Sequence, residues 1–171
     1  MIGLVISAVA TALPAISAQP LHMPAVVSTL AAVDRTVYQC ENIAQGTECR
    51  RRTDPAENIA GEAVMEIVLF YRSGTLVRTV FAFSETDFDK MASQLTAVLG
   101  APTPGHELLK AGMAGVFENR YYVWMDSDQI WFAEQYFERV TTSGLWHMDA
   151  AEFDALQTER DRARVHGARD L

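Results

Sequence analysis

Beyond Asp34, several segments alternate hydrophobic and polar residues with a period of two, which is the pattern of half-buried β-strands. Short polar or glycine-containing turns separate these segments in pairs, so they predict hairpins. The paired segments are 36–40 with 47–52, 63–71 with 75–83, and 116–124 with 129–137. Three hairpins predict an antiparallel sheet of five to six strands.

One segment after the second hairpin follows a helical period instead. Its apolar residues recur at steps of three and four and form a single stripe. These residues are Phe88, Met91, Leu95, Val98 and Leu99. Ser84 with Asp87 favours a capped start and Gly100 with Pro102 favours an end, so we predict a helix over about 85–99. Because this helix would pack on one face of the sheet, the predicted fold class is α+β.

A second helix is predicted at the C-terminal end, from Asp149 to Val165. Asp149 and Glu152 have the spacing of a capping box at its start. The segment 101–115, which precedes the last hairpin, contains two prolines and three glycines. We predict that it is a flexible connector.

The first segment of the chain has the composition of an export signal. Asp, Glu, Lys and Arg do not occur before Asp34, and an apolar run is followed by small residues that end at Ala18. We therefore expect a signal peptide over 1–18, an uncharged leader over 19–34 and a single domain over 35–171. The usual basic group ahead of the apolar run is missing, which leaves the true start codon open. The alternatives are an uncleaved membrane anchor, for which the run is short, and a buried N-terminal helix.

Two cysteines agree with an oxidising compartment, so we expect a periplasmic or secreted protein with no stable membrane insertion after cleavage. Cys40 and Cys49 flank a predicted turn at Gln45 and Gly46, and strands folded back there would bring the two cysteines within reach of each other. The alternative is a two-cysteine metal or redox site, but its C-x-x-C spacing is missing. We predict a disulfide.

Net charge excludes one class of partner. The chain has 14 Lys and Arg against 22 Asp and Glu, and its formal net charge of −8 would repel the phosphates of nucleic acids. The basic run at 50–52 is a candidate for binding a phosphate or a carboxylate. Acidic residues stand near it in the sequence, so local ion pairs at a strand end are the alternative, which we favour.

Aromatic residues concentrate on the last predicted hairpin. Alternation puts aromatic or apolar side chains on both of its faces, and one helix would cover only one face. We therefore predict an exposed aromatic binding surface, because Tyr and Trp dominate interface hot spots. Its residues would be Tyr122, Trp124, Trp131 and Tyr136. The alternative is that the C-terminal helix or the leader covers the second face, which would make these rings part of the core.

Candidate catalytic residues are few. His106 and Glu107 would form an acid–base pair in the connector, and His147 near Asp149 would supply a lone imidazole. Residues 126–128 resemble half of a calcium loop but also make a good tight turn, which we favour. The sequence contains no P-loop, dinucleotide-binding or zinc-protease motif, so we predict no cofactor and no metal.

Three consecutive elements resemble, in their order, those of small secreted bacterial proteins. They are the predicted helix, the L-x-x-x-L-G-x-P turn at 95–102 and the Trp-bearing hairpin that follows. They are also slightly similar to envelope-assembly and protease-inhibitor modules that lay a helix on an antiparallel sheet. The resemblance implies a fold class and no functional residue.

The sequence predicts a small exported binding or assembly module. It would act through the aromatic sheet face or through the edge of the disulfide hairpin. The expected partner is an envelope or secreted protein, or a second copy of the chain in self-association. Two alternatives are kept: a small hydrolase-like enzyme using His106, Glu107 or His147, and a carrier for a small apolar ligand held between sheet and helix.

Overall fold

The computed structural model describes residues 21–54, 57–110 and 115–165, so the predicted signal peptide lies outside the described residues. The strands are β1 Gln39–Ile43, β2 Gly46–Arg52, β3 Asn58–Ile59, β4 Glu62–Ala63, β5 Glu66–Arg72, β6 Thr75–Ser84, β7 Thr103–Lys110, β8 Val116–Asp126, β9 Gln129–Glu134 and β10 Thr142–Asp149. The helices are α1 Phe88–Leu99 and α2 Ala150–Val165, with short 3₁₀ turns at Leu30–Ala32 and Glu85–Asp87.

Eight strands form one antiparallel sheet in the order β1-β2-β5-β6-β10-β9-β8-β7, and β3 pairs with β4 separately. The sheet consists of two four-stranded runs in which strands consecutive along the sheet pair with each other. These runs meet where β6 pairs with β10. Helix α1 carries the chain from β6, in the middle of the sheet, to β7 at its far edge. The α+β class is thus confirmed, with two helices on a mostly antiparallel sheet.

The strand count is higher than the five to six that the hydrophobic pattern predicts. Strand β7 lies where a flexible connector was expected, because Pro104 and Gly105 are poor strand formers in general. Pro104 is tolerated since β7 is an edge strand. Gly105 is required, because a Cβ there would lie 2.2 Å from the Tyr121 ring. The tertiary contact with Tyr121 therefore decides the conformation against local propensity.

The hydrophobic pattern also does not predict strand β10. Its first half, with Ser143 and Gly144, gives a weak strand signal, yet β10 pairs with both β6 and β9 at the centre of the sheet. Gly144 leaves room for Phe137, whose Cβ and Cγ would be 3.0 Å from a Cβ at position 144. Two-sided pairing stabilises this strand, and such pairing cannot be read from a local window.

The first face of the sheet packs against α1 and part of the leader. The residues buried there from strands and helix include Ile67, Leu69, Phe81, Phe83, Met91, Leu95, Trp124 and Trp131. The described part of the leader adds Leu21, Met23, Val27 and Leu30 to this cluster. It is tied to the β5–β6 turn, because Leu30 N donates to Gly74 O at 2.9 Å and Leu76 N to Ser28 O at 2.9 Å.

The second face packs against α2. Its buried cluster contains Val68, Val80, Ala82, Ile130, Phe132, Phe137, Trp146, Met148 and Leu156, with Phe153 packed against it. The C-terminal helix therefore covers the second face of the aromatic hairpin, as the alternative interpretation held. Only the N-cap half of the predicted capping box is seen: Glu152 N donates to Asp149 Oδ1 at 2.7 Å, whereas the Glu152 carboxylate pairs with Arg72 and Arg78.

The start of α1 differs from the prediction. A 3₁₀ turn over Glu85–Asp87 precedes the helix, which begins at Phe88. The Ser84 side chain does not cap it, because its Oγ lies 2.8 Å from Thr86 Oγ1. Within the part of the chain that the structure describes, no helix has both the length and the apolar character needed to cross a membrane.

Candidate functional site

The four residues of the predicted aromatic surface do not form one exposed face. Trp124 and Trp131 are directly opposite each other on β8 and β9 and are buried beneath α1. Tyr122 is partly buried in the same cluster, 5.7 Å from the Phe88 ring. Tyr136 lies apart from them, after β9. Neither tryptophan is open to a partner in this arrangement, because Trp124 is 1% and Trp131 6% exposed.

The candidate catalytic residues are not brought together. His106 and Glu107 are neighbours on β7, so their side chains point to opposite faces of the sheet. His106 is exposed, whereas Glu107 is buried and accepts a hydrogen bond from Asn119 Nδ2 at 3.2 Å. His147 is on β10, with its ring 4.2 Å from that of Trp131. This arrangement does not assemble an acid–base pair from these residues.

His147 should make the stability of the fold depend on pH. Burial lowers the pKa of His147 below its ordinary value. The unfolded chain therefore binds the proton more readily than the folded one. The contribution of His147 to the free energy of unfolding is fully present above about pH 6.5 and decreases as the pH falls through the pKa of His147 in the folded state.

Urea unfolding should show a smaller loss of stability between pH 7.5 and 5.5 for His147→Gln than for the wild-type chain. His106→Gln, which changes an exposed histidine, should follow the wild type. Equal losses in all three proteins would contradict this role of His147.

The disulfide prediction is confirmed. Cys40 on β1 and Cys49 on β2 are directly opposite in register and are bonded to each other. Closing a loop of about ten residues stabilises a fold by roughly 2–3 kcal/mol on the chain-entropy estimate. The bond also fixes β1, which is an edge strand, to the rest of the sheet.

The basic run divides between the two faces of the sheet. Arg51 donates to both carboxylate oxygens of Glu57, at 2.6 and 2.7 Å, and to Tyr38 Oη at 2.8 Å. It is thus held in a structural ion pair, as the alternative interpretation expected. Arg50 and Arg52 point the other way. Arg50 is opposite Val68 in register, and Val68 belongs to the face that α2 covers.

A cleft of about 400 Å³ opens on that face, beside α2, between the end of β2 and the loop 135–141 that joins β9 to β10. We call it the arginine cleft. Its walls are Arg50, Arg52, Met65, Glu66, Ala82, Phe137, Glu138, Arg139 and Thr142. Arg50 also lines two adjacent depressions of about 500 and 220 Å³ that lead toward β1 and the disulfide. All three share Arg50 as a lining residue, and we call them together the groove.

Arg50 is surrounded by carboxylates. Its Nε donates to Glu48, both of its terminal nitrogens donate to Glu138, and Glu66 Oε2 lies 3.7 Å from Nη1. The hydrogen bonds that Arg50 donates to Glu138 raise its pKa above the ordinary value, and the one to Glu48 adds to this against the opposing effect of burial. An arginine stays charged in proteins.

Arg52 and Arg139 differ from Arg50. Both are exposed, and across residues 21–54, 57–110 and 115–165 neither guanidinium is in an ion pair. Both line the cleft together with two carboxylates, Glu66 and Glu138, and with Met65, which is exposed, whereas Ala82 and Phe137 are buried beneath the surface. Such a combination can bind a group that carries both a negative charge and an apolar part.

The loop 135–141 is held in place by hydrogen bonds. Phe137 N donates to Thr142 O at 2.7 Å, Ser143 Oγ to Gln135 O at 2.7 Å, and Tyr136 N to Asn119 Oδ1 at 2.8 Å. Phe137 packs edge-on against Trp146, with ring centroids 5.5 Å apart. The cleft wall is therefore largely formed before any ligand arrives, which lowers the entropic cost of binding.

Comparisons with known proteins found no family model, no curated protein and no solved structure that matches this chain. The arginine cleft brings three arginines and two glutamates together in one lining. Residues 126–128 form the turn that sequence reasoning favoured, with Ser127 at a φ of 57°. Among the described residues, no group of three or more His, Cys, Asp or Glu side chains is placed to hold a metal ion.

Proposed function

We propose that this protein is a small exported binding module that recognises an acidic segment of another envelope or secreted protein in the arginine cleft. One observation carries the proposal: Arg52 and Arg139 are exposed, form no ion pair with a described residue, and line the same cleft as Arg50 and the exposed Met65. Arginine is suited to this task because its planar fork matches the geometry of a carboxylate.

The charge of the whole chain supports an acidic segment rather than a nucleic acid. With a net charge of −8, most of the surface repels anions over a long range, so a polyanion would be disfavoured. A short segment that places a few carboxylates in the cleft avoids most of this repulsion. An apolar side chain of the segment would pack on Met65, which is 45% exposed.

Two features support export. The Cys40–Cys49 disulfide suits an oxidising compartment, and the chain carries an uncharged N-terminal segment of signal-like composition. The groove runs from the arginine cleft toward the disulfide hairpin, which was one of the two surfaces expected from the sequence. The disulfide would keep one wall of the groove rigid.

Removing the charges of Arg52 and Arg139 should strongly weaken recognition of an acidic segment. We expect Arg52→Gln with Arg139→Gln to weaken the binding of a fluorescein-labelled peptide of alternating glutamate and leucine by about tenfold or more, because each lost contact is charge-assisted. Fluorescence anisotropy at low salt measures the change. The matched control is Arg35→Gln with Arg162→Gln, which removes the same charge from two exposed arginines outside the cleft.

The control should bind like the wild type, and a peptide with glutamine in place of glutamate should not bind. If both double variants weakened binding equally, the attraction would be nonspecific and the cleft would not be the site. If the wild-type chain bound neither peptide, the proposed function would fail.

A further inference from the structure

The carboxylate of Glu138 is placed on Arg50 as a bound carboxylate would be. Arg50 Nη1 donates to Glu138 Oε2 at 3.0 Å and Nη2 donates to Oε1, so the two groups meet in a two-pronged contact. The residues are 88 positions apart in the sequence. From this geometry we infer that Glu138 is an internal stand-in for the ligand, and that an acidic segment binds by taking the place of Glu138 on Arg50. The inference rests on the proposed function.

The three carboxylates around Arg50 are not equivalent. Glu48 is buried and comes from the same strand as Arg50, so it is a fixed part of the structure. The Glu138 side chain is 45% exposed and belongs to a loop. Exposed ion pairs contribute little to stability, so the contact between Arg50 and Glu138 can be exchanged at low cost. Glu66, 3.7 Å from Arg50, stays in place throughout the exchange.

The backbone at Glu138 supports the same conclusion. Its φ of 58° lies in the left-handed region, which costs a residue other than glycine free energy. Residues 138–141 are all exposed, whereas Phe137 before them is buried and Thr142 after them is partly buried. Rotation of the exposed Glu138 side chain can therefore free Arg50 while the hydrogen-bonded ends of the loop stay in place.

Arg52 and Arg139 explain why an acidic segment would displace Glu138 from Arg50. Both line the same cleft and form no ion pair with a described residue, although Arg52 is opposite Glu66 in the register of β2 and β5. A single internal carboxylate can satisfy Arg50 alone, whereas a segment with several carboxylates can contact all three. The internal contact then selects for ligands that carry more than one negative charge.

Removing the Glu138 carboxylate should raise the affinity of the arginine cleft for an acidic peptide. If Glu138 occupies Arg50 most of the time, the competent fraction of the free protein is small, and Glu138→Gln should tighten binding of the glutamate–leucine peptide by about three- to tenfold. Glu138→Gly should tighten it as well, because glycine removes the carboxylate and suits the positive φ. Glu118→Gln is the matched control, since it removes one negative charge from an exposed position on β8. It should leave the affinity unchanged.

Anisotropy titrations of the four proteins, each checked for an intact fold by circular dichroism, separate the possible failures. Equal or weaker binding by both Glu138 variants, with binding by the wild type, would overturn the inference and leave the proposed function standing. Binding by neither the wild type nor the Glu138 variants would overturn the proposed function itself. Tighter binding by Glu138→Gln and Glu118→Gln alike would show a general charge effect and would also overturn the inference.

Discussion

Replacing Trp124 by alanine should lower the free energy of unfolding by about 3–5 kcal/mol, which is a large part of the stability of a domain of this size. The side chain is 1% exposed and lies beneath α1, opposite Trp131. Its Nε1 donates to Gly100 O at 3.1 Å, at the end of α1. The substitution therefore leaves a cavity and also removes a contact that holds the end of the helix.

Met125→Ala is the matched control for this experiment. Met125 follows Trp124 on the same strand, but its side chain points away from the α1 core and is 72% exposed. Its removal should change the free energy of unfolding by no more than about 0.5 kcal/mol. Urea unfolding followed by circular dichroism measures both variants. A folded Trp124→Ala protein with nearly wild-type stability would mean that the ring is not packed, and it would restore the exposed aromatic face as a binding surface.

The sequence predicts the strongest hairpins and their faces because alternation records which side chains the sheet buries. Ile67 and Leu69 lie on one face and Val68 on the other, as a period of two requires. The same pattern could not decide whether the second face is covered. That depends on where α2 packs, and α2 has too few apolar residues for its position to be predicted from the sequence.

The arginine cleft could be predicted only in part. The basic run draws attention to Arg50 and Arg52, and nearby acidic residues correctly suggest the ion pair of Arg51 with Glu57. The opposite wall, with Glu138 and Arg139, belongs to a loop that is distant in the sequence. Only the pairing of β6 with β10 brings that loop to β2, and β10 gives too weak a strand signal to be placed from the sequence.

Charged residues explain how α2 holds its place with few apolar contacts. Glu152 lies under the first turn and contacts Arg78 at 3.1 Å, and both side chains are buried. Arg160, near the other end, contacts Glu134 on β9. Each pair joins residues that are far apart in the sequence, so neither is visible as a local pattern. A count of apolar anchors on α2 therefore underestimates how firmly the helix is attached.

Replacing Arg160 by methionine should destabilise the fold by about 3–5 kcal/mol, because it leaves buried carboxylate charge without its cation. Arg160 is 7% exposed, and its Nη2 donates to both oxygens of Glu134 at 2.9 Å. Its guanidinium also lies 4.5 Å from the centre of the Phe132 ring. Arg162→Met, at an exposed position two residues later on α2, is the matched control and should stay within about 0.5 kcal/mol of the wild type.

A second substitution distinguishes lost charge pairing from lost packing. Glu134→Gln removes the buried negative charge but keeps an oxygen that can accept the hydrogen bond of Trp146 Nε1, which lies 2.8 Å from Glu134 Oε1. Added to Arg160→Met, it should restore about 1–2 kcal/mol of the lost free energy of unfolding, since the two residues act as a coupled pair. Additive losses in the double variant would mean that α2 is held at this end by the shape of the Arg160 side chain. Recovery would mean that the pairing of buried charge between Glu134 and Arg160 stabilises the packing of α2 on the sheet, and it would be partial because Glu107 Oε1 also lies 3.9 Å from Arg160 Nη1.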